Sequence, residues 1–250
     1  MRAYTPKDVR DGIARALANF SSQRPRPAYI EVPLDILKVA AGSNWHARAL
    51  PRRPLPHADQ VTAAAARLNS AKRPLIILGG GALDGGAAAL RIAERLKAPI
   101  LTTTAGKGAV PEDHPLCMGY MMGRAPAVEF IKSHDAILCA GSQLSETDFW
   151  QDDVVIDRNL IRIDIDADSL AQPHTAEIAI QADARATLEA IAEKLASHAD
   201  HKREQLAKSK KDYISDVVAD ANRRTIASVL KVIDRKSTRL NSSHVKRSRM

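Results

Sequence analysis

The chain has 250 residues, 45% of them hydrophobic, with two cysteines and a formal net charge of +8. That is enough apolar material for one large or two modest domains with a real core, while no apolar run nears the roughly 20 residues that span a bilayer. The charge is uneven: residues 235–250 hold six of the 37 basic residues and no acid, leaving 31 basic against 29 acidic residues elsewhere, which argues against nucleic acid as a partner.

Thr5-Pro6-Lys7-Asp8 reads as a helix start, with Thr5 as the cap, Pro6 in the first turn and Asp8 reaching back. Val9, Ile13, Leu17 and Phe20 follow on one apolar face. Asp8 and Asp11 do not suit an acid-poor transit peptide, no secretory leader pattern is present, and the expected compartment is the cytoplasm, without a membrane partner. Ala28–Val32 is predicted as a short strand stopped by Pro33. One helix and one strand over 1–36 are too little for a domain and are expected to be the end of one. The Pro- and Arg-rich stretch 37–57, containing "RALPRRPLPH", is predicted to be a linker.

Strands and helices then alternate. A helix is predicted over Ala58–Asn69, a strand over Pro74–Leu78, a helix over Gly86–Lys97 and a strand over Pro99–Thr103. A glycine-bearing loop follows, then a helix over Ala125–Ser133 and a strand over Ala136–Ala140. Asn159–Asp166 and Glu177–Asp183 read as two more strands, the second leading into a helix over Ala184–Ser197. This alternation predicts an α/β fold, a Rossmann-like parallel sheet with helices on both faces, complete within 58–199. Residues 200–233 are charged and read as a further linker. Asp234–His244, "DRKSTRLNSSH", back-translates in one frame to a sequence resembling a short-read sequencing adaptor. Residues 234–250 are therefore expected to be a non-native tail, with the gene interrupted near Ile233.

Several motifs test against known chemistry. Gly79-Gly80-Gly81 follows the first predicted strand, but counting from Gly79 and Gly81 the last glycine of G-x-G-x-x-G falls on Asp84. The triplet is open to two readings, a tight turn or a close approach of backbone to ligand. Gly106-Lys107-Gly108 fails as a Walker A loop, since Leu101 and Gly108 stand where Gly and Ser or Thr are needed; Lys107 reads as a solvated loop lysine. Asp113-His114 and His198-x-x-His201 lack the further ligands zinc requires, so no metal site is expected in this chain. Cys117 and Cys139 stand in no CxxC or CxxH spacing, and Cys139 reads as core. Ser142 in "AGSQL" lies in no nucleophile elbow. Asp164 and Asp166 in "IRIDID" flank a strand end, where an acid can bind a ribose hydroxyl or simply cap the next turn.

Taken together, "RPRPAYIEVPLDIL", "RPLIILGGGAL", "APILTTTAGKGAVPEDHPLCMG", "DAILCAGSQL" and "LIRIDID" resemble the thiamine-diphosphate-dependent enzymes of the acetolactate synthase and 2-oxoacid decarboxylase group. The resemblance is to their middle: 1–36 to the end of the pyrimidine-binding domain and 58–199 to the central domain. It implies a homodimeric or homotetrameric parent acting on a small-molecule 2-oxoacid by carboligation or decarboxylation, with thiamine diphosphate and Mg2+ held by motifs of other domains. No Gly-Asp-Gly occurs in this sequence, and no catalytic residue is assigned in it. In acetolactate synthase-like members the central domain binds FAD, its ADP half along the strand ends. The matching positions here are Gly79, Gly80, Gly81, Gly106 and Asp164. "GSQLSETDF" at 141–149 and Met121-Met122-Gly123 depart from the FAD pattern, which favours a ligand-free spacer. A stand-alone FAD- or ADP-binding module of the same fold is the alternative. "SQLSETDFWQ" at 142–151 resembles decarboxylases of 5-guanidino-2-oxopentanoate.

Overall fold

The computed structural model describes residues 1–195 apart from 43–44, 121, 151–153 and 157–158, together with 210, 212 and 215. The expectations for 200–233 (apart from 210, 212 and 215), for the tail 234–250, for His198 and His201, and for Met121 lie outside the described residues.

Helix α1, Pro6–Ser22, starts as read: the Thr5 hydroxyl accepts the Asp8 N–H, and the Asp8 carboxylate accepts the Thr5 N–H at 2.9 Å. Its only buried residue is Gly12, so Ile13, Leu17 and Phe20 stay exposed. The strand predicted over Ala28–Val32 does not form. Its one pairing is a parallel bridge, in which Ala3 donates to the Glu31 carbonyl and Glu31 to that of Met1, both at 2.9 Å. A strand needs a partner ladder, and here only Met1–Ala3 supplies one. A four-residue helix, α2, Leu34–Leu37, follows Pro33.

From α3, Ala58–Ser70, the predicted alternation appears. Strand β1, Pro74–Leu78, is buried throughout and runs into a 3-10 turn, Gly80–Gly85, and α4, Gly86–Leu96. Strand β2, Ile100–Thr102, and a three-residue strand β3, Cys117–Gly119, bracket the long loop. Then come α5, Ala125–Lys132; β4, Ala136–Ala140; α6, Glu146–Phe149; β5, Leu160–Asp164; α7, Ala167–Ala171; β6, Ile178–Gln181; and α8, Ala184–Lys194. The sheet is parallel throughout in the order β3-β2-β1-β4-β5-β6. Strand β3 has no β-branched residue, and α6 and α7 are single turns; periodicity over such short spans carries no signal.

Strand residues alternate between two cores, as the pleat requires. Ile76, Leu78, Ile100, Leu138, Ile161 and Ile163 pack with Leu68 of α3, Ile92 of α4 and Leu188 of α8. Leu75, Ile77, Leu101, Ile137, Cys139 and Leu160 pack on the other face with Val128 and Ile131 of α5 and Phe149 of α6. Helices therefore cover both faces, which seals a sheet whose strands are apolar on each side. Cys139 is core: burial pushes its thiol up to about 12, so it is inert at neutral pH. No helix among the described residues is long and apolar enough to cross a membrane.

Candidate functional site

Chain reversal opens a crevice. From β1 the chain moves to β2 on one side of the sheet, and from β4 to β5 on the other, so the loops leaving β1 and β4 diverge at the carboxyl edge. A cleft of about 840 Å³ occupies that point. Its floor is made by the exits of β1 (Gly80, Gly81), β2 (Thr103–Ala105), β4 (Gly141–Gln143) and β5 (Asp164, Ile165). Arg24, Arg53, Asp148, Trp150 and Asp183 complete its walls.

On the β1 side the loops are bound to one another through their backbones. Gly79 donates to the Ala140 carbonyl at 2.9 Å, Gly81 to that of Gly141 at 3.0 Å, and Gly141 to that of Ile163 at 2.8 Å. Gly106 donates to both the carbonyl and the hydroxyl of Thr103, each at 3.1 Å. The approach is too close for a side chain: a methyl built on Gly106 would enter the Leu78 carbonyl, and one on Gly79 that of Gly141. Gly141 itself has φ +62°, a left-handed conformation that glycine adopts without strain.

The β4–β5 side is held by side chains, chiefly Arg162, which is 1% exposed in the middle of β5. Its Nη1 donates to the carbonyls of Gln172 at 2.9 Å and His174 at 3.2 Å. Nη2 donates to those of Ser142 at 3.2 Å and Gln143 at 3.1 Å. One guanidinium thus ties the loop leaving β4 to the loop leading into β6. In the β4 loop the Ser142 hydroxyl accepts the Leu144 N–H at 3.0 Å, and Ser145 with Asp148 forms a capping box that starts α6. Helix α6 ends at Trp150, whose φ of +50° is left-handed and whose side chain is 79% exposed.

Two carboxylates sit at this edge. Asp164, 6% exposed, accepts the Asp166 N–H at Oδ1, 2.9 Å away. Burial pushes its carboxyl above the usual range, partly opposed by that hydrogen bond and by the charges of Arg24 and Arg162. Burial likewise raises Asp148, whose Oδ2 accepts from Ser145 N–H at 3.2 Å. The charges of both also add to the rise of the Cys139 thiol. Asp183 caps α8 by accepting the Ala186 N–H at 2.9 Å and pairs with Arg53 at 3.0 Å.

Of the residues singled out in the sequence, Gly80, Gly81 and Asp164 line the cleft together, while Gly79 and Gly106 lie just behind the lining in the loops that support it. Asp166 lies outside this cleft with its side chain largely covered, capping α7 and pairing with Arg26 at 2.6 Å. Lys107 is held outside the cleft, 3.4 Å from Glu112 and over the Tyr120 ring. His114 pairs with Glu94 at 3.4 Å, and no group of three metal-ligating side chains occurs among the described residues. Arg162, Arg24 and Arg53 are not singled out by the sequence, and Asp148 and Trp150 only as members of the stretch "SQLSETDFWQ". Of the three arginines, Arg162 carried a signal, a lone charge inside an otherwise apolar strand, "LIRI".

A parallel sheet in this order, with a glycine-lined crevice at its reversal, defines a Rossmann-type α/β domain. Residues 61–191 match the family described as thiamine pyrophosphate enzyme, central domain, and the chain belongs to that family. It is 42% identical over 200 residues to the "Probable 2-ketoarginine decarboxylase AruI" of Pseudomonas aeruginosa, covering 79% of this chain and 36% of that protein. It is 30% identical over 197 residues to the acetolactate synthase large subunit of Corynebacterium glutamicum, covering 75% and 32%. The crystal structure of benzoylformate decarboxylase from Polynucleobacter necessarius shares the fold, with a TM-score of 0.66 at 23% identity over 81% of this chain and 39% of that one. The chain spans about a third of the length of these relatives.

Proposed function

We propose that this chain is the central portion of a thiamine-diphosphate- and Mg2+-dependent 2-oxoacid decarboxylase whose substrate is 2-ketoarginine. One observation carries the reading: identity of 42% to the protein named for that activity, against 30% to an acetolactate synthase over a stretch of nearly equal length. The "SQLSETDFWQ" stretch at 142–151, where the sequence departs from the FAD-type pattern, supports the same choice.

The residues described here do not fit thiamine diphosphate. No three metal-ligating side chains converge to hold its Mg2+, and the loop N–H groups of Gly79, Gly81 and Gly106 donate to protein carbonyls rather than toward a phosphate. Of the five positions that match the FAD pattern, Gly79 and Gly106 do not line the cleft, which favours a ligand-free spacer over an FAD site. The role assigned to this portion is to carry a stable α/β layer between catalytic parts supplied elsewhere in a cytoplasmic homodimer or homotetramer.

The test is carbon dioxide release by the full-length protein from the source genome, supplied with thiamine diphosphate and Mg2+. Decarboxylation of 2-ketoarginine in preference to pyruvate is the expected result. Pyruvate turned over faster, with acetolactate as product, would replace the reading by carboligation. For the 250-residue chain alone, titration calorimetry with thiamine diphosphate and Mg2+ is expected to give no micromolar binding.

A further inference from the structure

One wall of the cleft is joined to the rest of the fold in a way of its own. Helix α1 and residues 23–31 make a small unit: the Met1 ammonium donates to the Tyr29 carbonyl at 2.7 Å, and the bridge between Met1–Ala3 and Glu31 closes it. Gln23, Arg24 and Pro25 of this unit line the cleft. No residue before Val61 belongs to either core, and among the described residues before Ala58 only Ala3 and Gly12 are buried. A second space of about 550 Å³ separates α1 from the exit of β5, and Gln23, Arg24 and Ile165 line both spaces. A contact with a void on each side and no apolar seam gains little from burial.

What holds this wall in place is polar. Arg26 donates through Nη2 to Oδ2 of Asp166 at 2.6 Å, and Arg24 donates through Nη1 to the Ser169 hydroxyl at 3.2 Å. Asp166 keeps Oδ1 for the Asp168 N–H at the start of α7, so pairing and capping use different oxygens. The Arg26 side chain is 62% exposed, which leaves the pair open to water and salt. The linker is fastened on both sides of a single residue. Before it, the Ser21 hydroxyl donates to the Pro51 carbonyl at 3.2 Å and Arg48 pairs with Asp11 at 2.5 Å, tying that end to α1. After it, the Asp183 N–H donates to the Pro54 carbonyl at 2.8 Å and Arg53 pairs with the Asp183 carboxylate at 3.0 Å, tying the chain to the sheet. Only Arg52 lies between the two fastenings, and one or two loop positions of this kind suffice for a hinge.

We propose that α1 and residues 23–31 are a movable wall of the cleft, pivoting at Arg52 and latched shut by Arg26 on Asp166 and Arg24 on Ser169. Release joins the two spaces across Gln23 and Arg24 and opens Gly80 and Asp164, on the cleft floor, to a larger molecule. The inference rests on these contacts and not on the decarboxylase reading, so the two can fail separately. The test measures the distance between spin labels on Arg15→Cys in α1 and Arg91→Cys in α4, both exposed positions, in the 250-residue chain. Cys117 and Cys139 are buried and escape labelling. One narrow distance is expected at about 50 mM salt. Replacing both latch residues, Arg24→Ala with Arg26→Ala, is expected to add a second distance and to raise the open fraction about fivefold. Asp166→Asn, which keeps the α7 cap and loses the ion pair, is expected to raise it about twofold. Salt at about 1 M, where charges are screened beyond about 3 Å, is expected to open the unsubstituted latch, and it decides should the double variant fail to fold. A distance unmoved in the folded double variant, or one already broad at low salt with the latch intact, would overturn the proposal.

Discussion

The two halves of the crevice are built by different means. On the β1 side, backbone meets backbone: Gly79, Gly81, Gly106 and Gly141 bring loop atoms so close that no side chain fits between them. On the β4–β5 side, side chains hold the loops, with Arg162 bonded to four carbonyls and Asp148, Asp164 and Trp150 facing the cleft. The first half is closely packed and chemically plain; the second carries the ionisable side chains and depends on one buried charge. Glycines at a strand end therefore mark where a site is framed, and the chemistry sits across the reversal from them.

The largest expected effect falls on the side-chain half. Arg162→Met fills similar volume but leaves four buried carbonyls without their donor, and is expected to cost about 3–5 kcal/mol. Urea unfolding with an unchanged slope checks this; a loss under about 1 kcal/mol would mean that the loops hold without the guanidinium. Gly106→Ala, on the backbone half, drives a methyl into the Leu78 carbonyl and is expected to cost about 3 kcal/mol. Gly108→Ala is its control: open space surrounds that position, but φ is +89°, so only conformational strain of about 1–2 kcal/mol is expected. Equal losses at the two glycines would remove close approach as the reason for Gly106. Asp183→Ala, where the halves meet α8, loses the cap on Ala186 and the Arg53 pair, for about 1–2 kcal/mol by thermal unfolding.

The same division explains what could be read in advance. Strands Pro74–Leu78 and Ala136–Ala140 are continuous apolar runs, and their bounds are the ones the sequence indicates. The capping box at Thr5 was equally plain, since its two partners are three residues apart. Strand β3 was missed because Cys117, Met118 and Gly119 have no strand preference, and only pairing with Ile100 and Leu101 makes them one. The reverse error, a strand over Ala28–Val32, came from local preference without a partner ladder. In the cleft, the glycines and Asp164 were legible because each ends a recognisable strand. Arg24 and Arg53 were not: they come from segments far away in the chain, read as the end of a helix and a linker, and only the fold brings them to the wall.

The smallest effect tests whether the buried carboxylate of Asp164 is held at a cost. Because burial places the folded-state carboxyl of Asp164 above the ordinary value of 3.8, the native chain binds this proton more readily than the unfolded chain. Stability contributed by this group is therefore fully present below pH 3.8 and falls as pH rises through the higher folded-state value, after which the ionised group is a constant burden at neutral pH. Asp164→Asn keeps the acceptor for the Asp166 N–H and removes the buried charge. Relative to the unchanged chain it should unfold at a higher temperature at pH 7, with the advantage shrinking as pH approaches 3.8. A variant less stable at both pH values would mean that the Asp166 N–H and the Arg24 and Arg162 charges already offset the burial of this carboxylate.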